Sequence, residues 1–161
     1  MKTQTKKTIW TYIIAILIPL AVGGLSALFT MGNMDFYDTI QKPPLAPPGV
    51  LFPIAWGILY ILMGISSAII WLNREKDIIN ADRGIYVYAT SLVFNFFWSI
   101  FFFNLRWFLF SFIWLIALLG LIIATIYFYK KISPVSAYLQ IPYALWVTFA
   151  GYLNIAIYLL N

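Results

Sequence analysis

Polar residues interrupt this chain so seldom that its apolar positions run together into long blocks. Five blocks, Ile9–Met31, Leu51–Leu72, Ile85–Phe103, Trp107–Phe128 and Val135–Leu160, contain no Asp, Glu, Lys or Arg. A helix rises ~1.5 Å per residue, so about 20 residues cross a hydrocarbon core ~30 Å thick. Each block reaches or nearly reaches that length. Lipid offers the backbone no hydrogen-bond partners, so each span must bond to itself as a helix. The pattern predicts an all-α membrane protein, a five-transmembrane-helix bundle, forming a single domain over residues 1–161.

Composition narrows the chemistry. Of 161 residues, 63% are apolar and only 9% charged, too little polar surface for a buried soluble domain of this size. The five spans and their connections leave no room for a second, soluble domain. The chain has no cysteine, which excludes disulfides, thiolate metal sites and thiol nucleophiles. It has no histidine either, so the commonest general base and metal ligand are absent, and haem ligation by His or Cys is impossible. No metal site and no cofactor is expected. The spans carry no ionisable acid or base, which argues against ion-coupled pumping.

The net charge of +5 lies in short loops and is not a nucleic-acid signal. Eight of the ten basic residues (Lys2, Lys6, Lys7, Arg74, Lys76, Arg83, Lys130 and Lys131) fall on one side of a five-span topology. Only Lys42 and Arg106 fall on the other. The positive-inside rule then places the N-terminus in the cytoplasm and the C-terminus outside. A bacterial cell membrane is the expected location. A basic start before an apolar run also fits a signal peptide. The 23-residue run is long for one, however, and no small-x-small cleavage site follows, so it is read as the first span.

Between the first and second spans, Gly32–Val50 carries Pro43, Pro44, Pro47 and Pro48, which stiffen it. It reads equally as a shaped lid or a rigid connector. Residues 73–84, mixing both charge signs, read as a solvated connector. The turn at Asn104–Arg106 is short enough to make the third and fourth spans antiparallel neighbours. Ser133 and Pro134 read as an N-cap and first helical residue. Pro19 and Pro142 are expected to bend their spans, while Gly23, Gly24, Ser26 and Ala27 permit close helix packing.

Aromatic residues recur at helical spacing. The second span has Phe52, Trp56 and Tyr60 followed by Gly64, the third has Asn95, Trp98 and Phe102, and the fifth has Tyr143, Trp146, Ala150 and Asn154. Steps of three and four put each set on one helix face. If those faces converge, they enclose a flat apolar cavity with a few amides, suited to a large planar ligand. The same pattern also fits ordinary packing, and for Asn154 helix–helix hydrogen bonding is the better single explanation. Trp10, Trp71 and Trp107, near span ends, read as interfacial belt residues.

These residues also carry a resemblance. Lys42, Pro43, Pro47 and Pro48 match a KP-x-x-x-PP pattern. Phe52, Trp56, Leu59, Tyr60, Met63 and Gly64 match a pattern of the second span, and Asn95, Trp98 and Ser99 one of the third. Pro142, Tyr143, Trp146, Phe149, Ala150, Leu153 and Asn154 match one of the fifth. In order and spacing these motifs resemble the tryptophan-rich sensory protein and translocator protein family, once called peripheral benzodiazepine receptors.

The resemblance implies a five-helix bundle, often a homodimer, embedded in membrane lipid. It implies a pocket under the first loop for porphyrins such as protoporphyrin IX, and for isoquinoline carboxamides or benzodiazepines. The implied ligand-binding residues are Tyr37, Pro47, Phe52, Trp56, Tyr60, Asn95, Trp98, Trp146 and Ala150. Trp56 and Trp146 are the implied catalytic candidates, because some members resemble a slow light- and oxygen-dependent porphyrin-degrading enzyme.

This chain departs from the family pattern at Leu45-Ala46, where an aromatic is usual, at Phe36, where Trp is usual, and at Ser91, where Gln is usual. Neither Tyr152 nor Tyr158 is followed by a basic residue, so the cholesterol-associated pattern is missing. The expected function is a tetrapyrrole-binding sensor, scavenger or carrier. The alternatives are the photo-oxidative enzyme and a structural or regulatory membrane protein without ligand.

Overall fold

The computed structural model describes residues 2–161. Its elements are α1 (Lys2–Thr30), prolonged by a 3-10 turn at Met31–Asn33, the short α2 (Phe36–Thr39), α3 (Leu51–Leu72), α4 (Ile78–Ser99), α5 (Phe108–Ile132) and α6 (Pro134–Leu160). A π-helical turn at Ile100–Asn104 extends α4. No strand occurs among the described residues. Five helices are long and apolar enough to span a membrane: residues 4–33, 51–72, 78–104, 108–132 and 134–160. The protein is an integral membrane helical bundle.

Side-chain caps set the starts of α4 and α6. The α4 helix begins seven residues before the apolar block at Ile85, and residues 78–84 are helical rather than a loose connector. The cause is Asp77, whose carboxylate accepts from the backbone N of Asn80 at 3.1 Å and from its side chain at 2.6 Å. That supplies a partner to an otherwise orphaned first-turn donor. Its carboxyl is held below the usual range, first by the Asn80 side chain and then by the Asn80 amide. Ser133 caps α6 through the N–H of Ser136, and Pro134 occupies its first turn as expected. Both α1 and α6 continue unbroken through Pro19 and Pro142.

The long helices close into a ring in which α1 packs on α3, α3 on α6, α6 on α5, α5 on α4 and α4 on α1. Its outer face carries exposed Leu28, Ile58, Ile116, Ile123 and Leu145, which suits a lipid solvent. Trp10, Trp71 and Trp107 are likewise exposed near helix ends.

Inside the ring, small residues and hydroxyls hold the helices together. Gly64 receives α1 so closely that a Cβ there would lie 2.5 Å from Ile16 Cα. Ser66 and Ser136 each donate to the other's carbonyl, at 2.8 and 2.9 Å, and Gln140 donates to Ser66 Oγ at 3.1 Å. These bonds tie α3 to α6 where no water competes. The Trp114 indole stacks on Phe94 with centroids 4.2 Å apart and donates to the Phe94 carbonyl at 2.8 Å, locking α5 to α4.

Candidate functional site

The first loop is strapped across one end of the bundle. Asn161 at the end of α6 donates to the Gln41 carbonyl and accepts from the Gln41 amide, both at 3.0 Å. Tyr152 donates to the Pro44 carbonyl at 2.9 Å. Asn104 donates to Phe29 O at 2.9 Å and accepts from Asn33 at 3.2 Å. Within the loop, Ala46 N bonds back to Pro43 O, and Leu45 takes a φ of 67° at the tip of that turn. A left-handed residue there is what a type II turn requires, and glycine is the usual choice.

Tyr37 on α2 anchors the loop from below. Its hydroxyl donates to the Pro47 carbonyl at 3.4 Å, a long bond, and Lys42 Nζ sits 4.5 Å over its ring while pairing with Asp38 at 3.1 Å. Burial, and secondarily the Asp38 carboxylate, pushes the Tyr37 hydroxyl above its ordinary pKa. It therefore remains a donor well into alkaline pH.

Beneath the loop lies one connected group of rings. Tyr37 packs edge-on to Phe52 at 5.4 Å, and Phe52 to Trp146 at 6.1 Å. Trp146 meets Trp56 at 6.5 Å, and Trp56 stacks on Tyr60 at 5.5 Å. Tyr143, which the resemblance did not put in the pocket, meets Trp56 at 6.0 Å. Such contacts place the aromatic faces of α3 and α6 against each other.

A cavity of about 320 Å³ opens beside these rings. Its aromatic wall is Phe52, Trp56, Tyr60, Trp98 and Phe103, and its other wall is the small-residue stripe of α1 from Gly23 to Ala27. Gly24, Ala27 and Pro53 line it and are also exposed, so it opens between α1 and α3 on the lipid-facing surface. Glycine makes this room, since a Cβ at Gly24 or Gly57 would have nothing within 4 Å. A second cavity of about 20 Å³ reaches Tyr37, Ala150 and Asn154. Phe52, Trp98 and Phe103 line both, so these three rings are the partition between them.

The expected site residues therefore separate by position. Tyr37, Phe52, Trp56, Tyr60, Trp98 and Ala150 line cavity space. Trp146 backs Phe52 and Trp56 and lines an outward groove with Pro142 and Phe149. Pro47 acts through its carbonyl on Tyr37. Asn95 lies behind the wall, donating to the Tyr60 hydroxyl at 3.4 Å. Asn154 is a helix–helix bridge, accepting from Trp98 Nε1 at 3.1 Å and donating to the Phe108 carbonyl at 2.7 Å. Phe103 and the α1 stripe complete the lining. Glycine spacing on α1 is the only signal of the stripe, and it reads equally as close packing.

The walls offer π faces, few hydrogen-bonding groups and no charge. No cluster of His, Cys, Asp or Glu able to hold a metal occurs among the described residues. Such a site selects for flat, apolar shape.

Comparison with known proteins agrees with the motifs. Residues 15–160 match the TspO/MBR family. The chain is 38% identical over 149 residues to a tryptophan-rich protein TspO of Archaeoglobus fulgidus, covering 91% of this chain and 94% of that one. It is 35% identical over 140 residues to the protein CrtK of Rhodobacter capsulatus, covering 86% and 85% respectively. It is 34% identical over 139 residues to the translocator protein of Bos taurus, covering 86% and 82%. The chain belongs to the TspO/MBR family.

Proposed function

We propose that this protein binds a large planar tetrapyrrole, with protoporphyrin IX as the reference ligand, and serves as a membrane sensor, scavenger or carrier. Isoquinoline carboxamides and benzodiazepines would use the same space. The observation that carries the reading is the ring-walled cavity of about 320 Å³ between α1, α3 and α4. Its volume is at the low end for ligand pockets, which run ~300–1,000 Å³. Movement of Phe52, Trp98 and Phe103 would join it to the smaller cavity under the loop. Its opening toward lipid suits a ligand that partitions into membranes. In this reading the N-terminus is cytoplasmic, so the loop-covered end faces outward.

A second reading, degradation of the bound porphyrin by light and oxygen, draws on one observation. Trp146, Trp56 and Tyr60 form a continuous series of oxidisable rings at the cavity wall. Titration of the purified protein with protoporphyrin IX, read by tryptophan fluorescence, separates the readings when run dark and illuminated with product analysis. Saturable quenching in the dark, with bleaching no faster than in an unrelated apolar host, supports the binder. A defined product that needs both light and oxygen supports the enzyme. Absence of saturable binding overturns both.

A further inference from the structure

A second apolar recess lies toward the opposite end of α1 and shares no lining residue with the aromatic cavity. This groove of about 410 Å³ runs from Thr11 to Ile18 on α1 and from Ile85 to Leu92 on α4, over a floor that includes Ser67 and Trp71 of α3. Thr11, Trp71 and Ile85 all lie toward the helix ends on one membrane face, so that end is the mouth. Seven residue steps of ~1.5 Å make the groove about 10 Å deep, a third of the ~30 Å hydrocarbon core. Trp71, exposed at the mouth, marks the interfacial level.

The mouth carries positive charge. Positions 7, 11, 14, 15 and 18 fall on one face of α1, so Lys7 stands one turn above Thr11 over the groove. Lys7 is exposed, and the ion pairs among the described residues are Lys42–Asp38 and Arg74–Asp82, which leaves it without an acidic partner. Arg74 also reaches the mouth, 5.3 Å from the Trp71 ring, but both its Nε and one terminal nitrogen are bound to Asp82. Lys6 is turned about 100° away around the helix.

We infer that this groove is a binding site for an anionic glycerophospholipid, with one acyl chain lying between α1 and α4 and its phosphate on Lys7. The groove walls are apolar and sit at hydrocarbon depth, which selects a chain. The unpaired ammonium sits at headgroup depth, which selects a negative headgroup.

Native mass spectrometry of the full chain, released from bilayers of equimolar phosphatidylglycerol and phosphatidylcholine, tests this. The native protein should retain one phosphatidylglycerol in preference to phosphatidylcholine by about fivefold, the effect of one basic residue at an anionic surface. Lys7→Gln should bring that ratio to about one, while Lys6→Gln should leave it unchanged. Ala89→Phe, a substitution at an exposed wall position, should abolish retention of either lipid. Equal effects of the two lysine variants would show diffuse surface charge and overturn the site. So would undiminished retention by a folded Ala89→Phe, or a lipid-free dimer that Ala89→Phe converts to monomer, which would make the groove an interface between copies. The lysine pair lies on exposed side chains and decides the matter even if the Phe variant does not fold.

Discussion

Gly23 and Gly24 are neighbours with opposite surroundings, and they offer a sharp test of how the cavity wall is built. A methyl group at Gly23 would overlap the Tyr60 ring, whose Cζ and Cδ2 would lie 2.7 and 2.8 Å away. Tyr60 cannot turn aside freely, because it stacks on Trp56 and its hydroxyl accepts from Asn95. At Gly24 the same methyl group meets nothing within 4 Å. Overpacking of a fitted interior costs about 1–3 kcal/mol. Both substitutions gain the same helix propensity, roughly 0.5–1 kcal/mol for Ala over Gly. Subtracting one variant from the other therefore isolates the overlap. Unfolding in mixed detergent micelles, followed by circular dichroism, should find Gly23→Ala less stable than Gly24→Ala by about 1–3 kcal/mol. Trp56 fluorescence should also shift in Gly23→Ala as its stacking partner moves. A difference below about 0.5 kcal/mol, within the ordinary scatter of surface substitutions, would refute this account of the α1–α3 contact.

Asn154→Leu keeps the shape of the bridge but strips the Trp98 indole N–H of its acceptor, and should cost about 1–2 kcal/mol. A double-mutant cycle with Trp98→Phe should recover the Trp98 share as coupling and leave the share of the Phe108 carbonyl, which loses its donor in both backgrounds. Asp77 has a depressed native pKa, so its cap stabilises fully above its unfolded value of about 4 and is lost as pH falls through the native value. The protection factors of the first-turn amides of α4, corrected for intrinsic exchange, should accordingly fall as pH is lowered toward 3, and Asp77→Ala should abolish that fall. For topology, Asp38→Cys should react with an impermeant thiol reagent applied outside intact cells and Asp77→Cys should not. The reverse pattern would invert the proposed orientation.

The fold was legible where hydropathy and punctuation coincide. The second apolar block matches α3 at both ends because Pro48-Gly49 and Asn73 bound it. The start of α4 was hidden because a side-chain cap at Asp77, not apolarity, begins that helix. Helical spacing correctly brought Phe52, Trp56 and Tyr60 together with Trp146, and anticipated Asn154 as a bridge. Spacing could not tell that Trp146 stands behind the cavity wall, since that depends on the rotation of α6 against α3. Nor could it find the α1 wall, where the cavity exists through missing side chains and no reactive group marks it. The π-helical turn after Ser99 further hid Phe103, because it departs from the α-helical register used to sort faces.

The central claim is that the cavity lined by Trp56 holds the tetrapyrrole. The most direct test compares dissociation constants for protoporphyrin IX in the dark, in bilayer discs, for Trp56→Ala, Trp146→Ala and Trp107→Ala. Trp56 presents its ring to the cavity, Trp146 supports it from behind, and Trp107 lies exposed at a helix end. Loss of a stacking wall and its buried area should weaken binding by Trp56→Ala by about 1–3 kcal/mol, roughly 5- to 150-fold. Trp146→Ala should weaken it less, and Trp107→Ala little. Equal constants for Trp56→Ala and Trp107→Ala in folded protein would contradict the account.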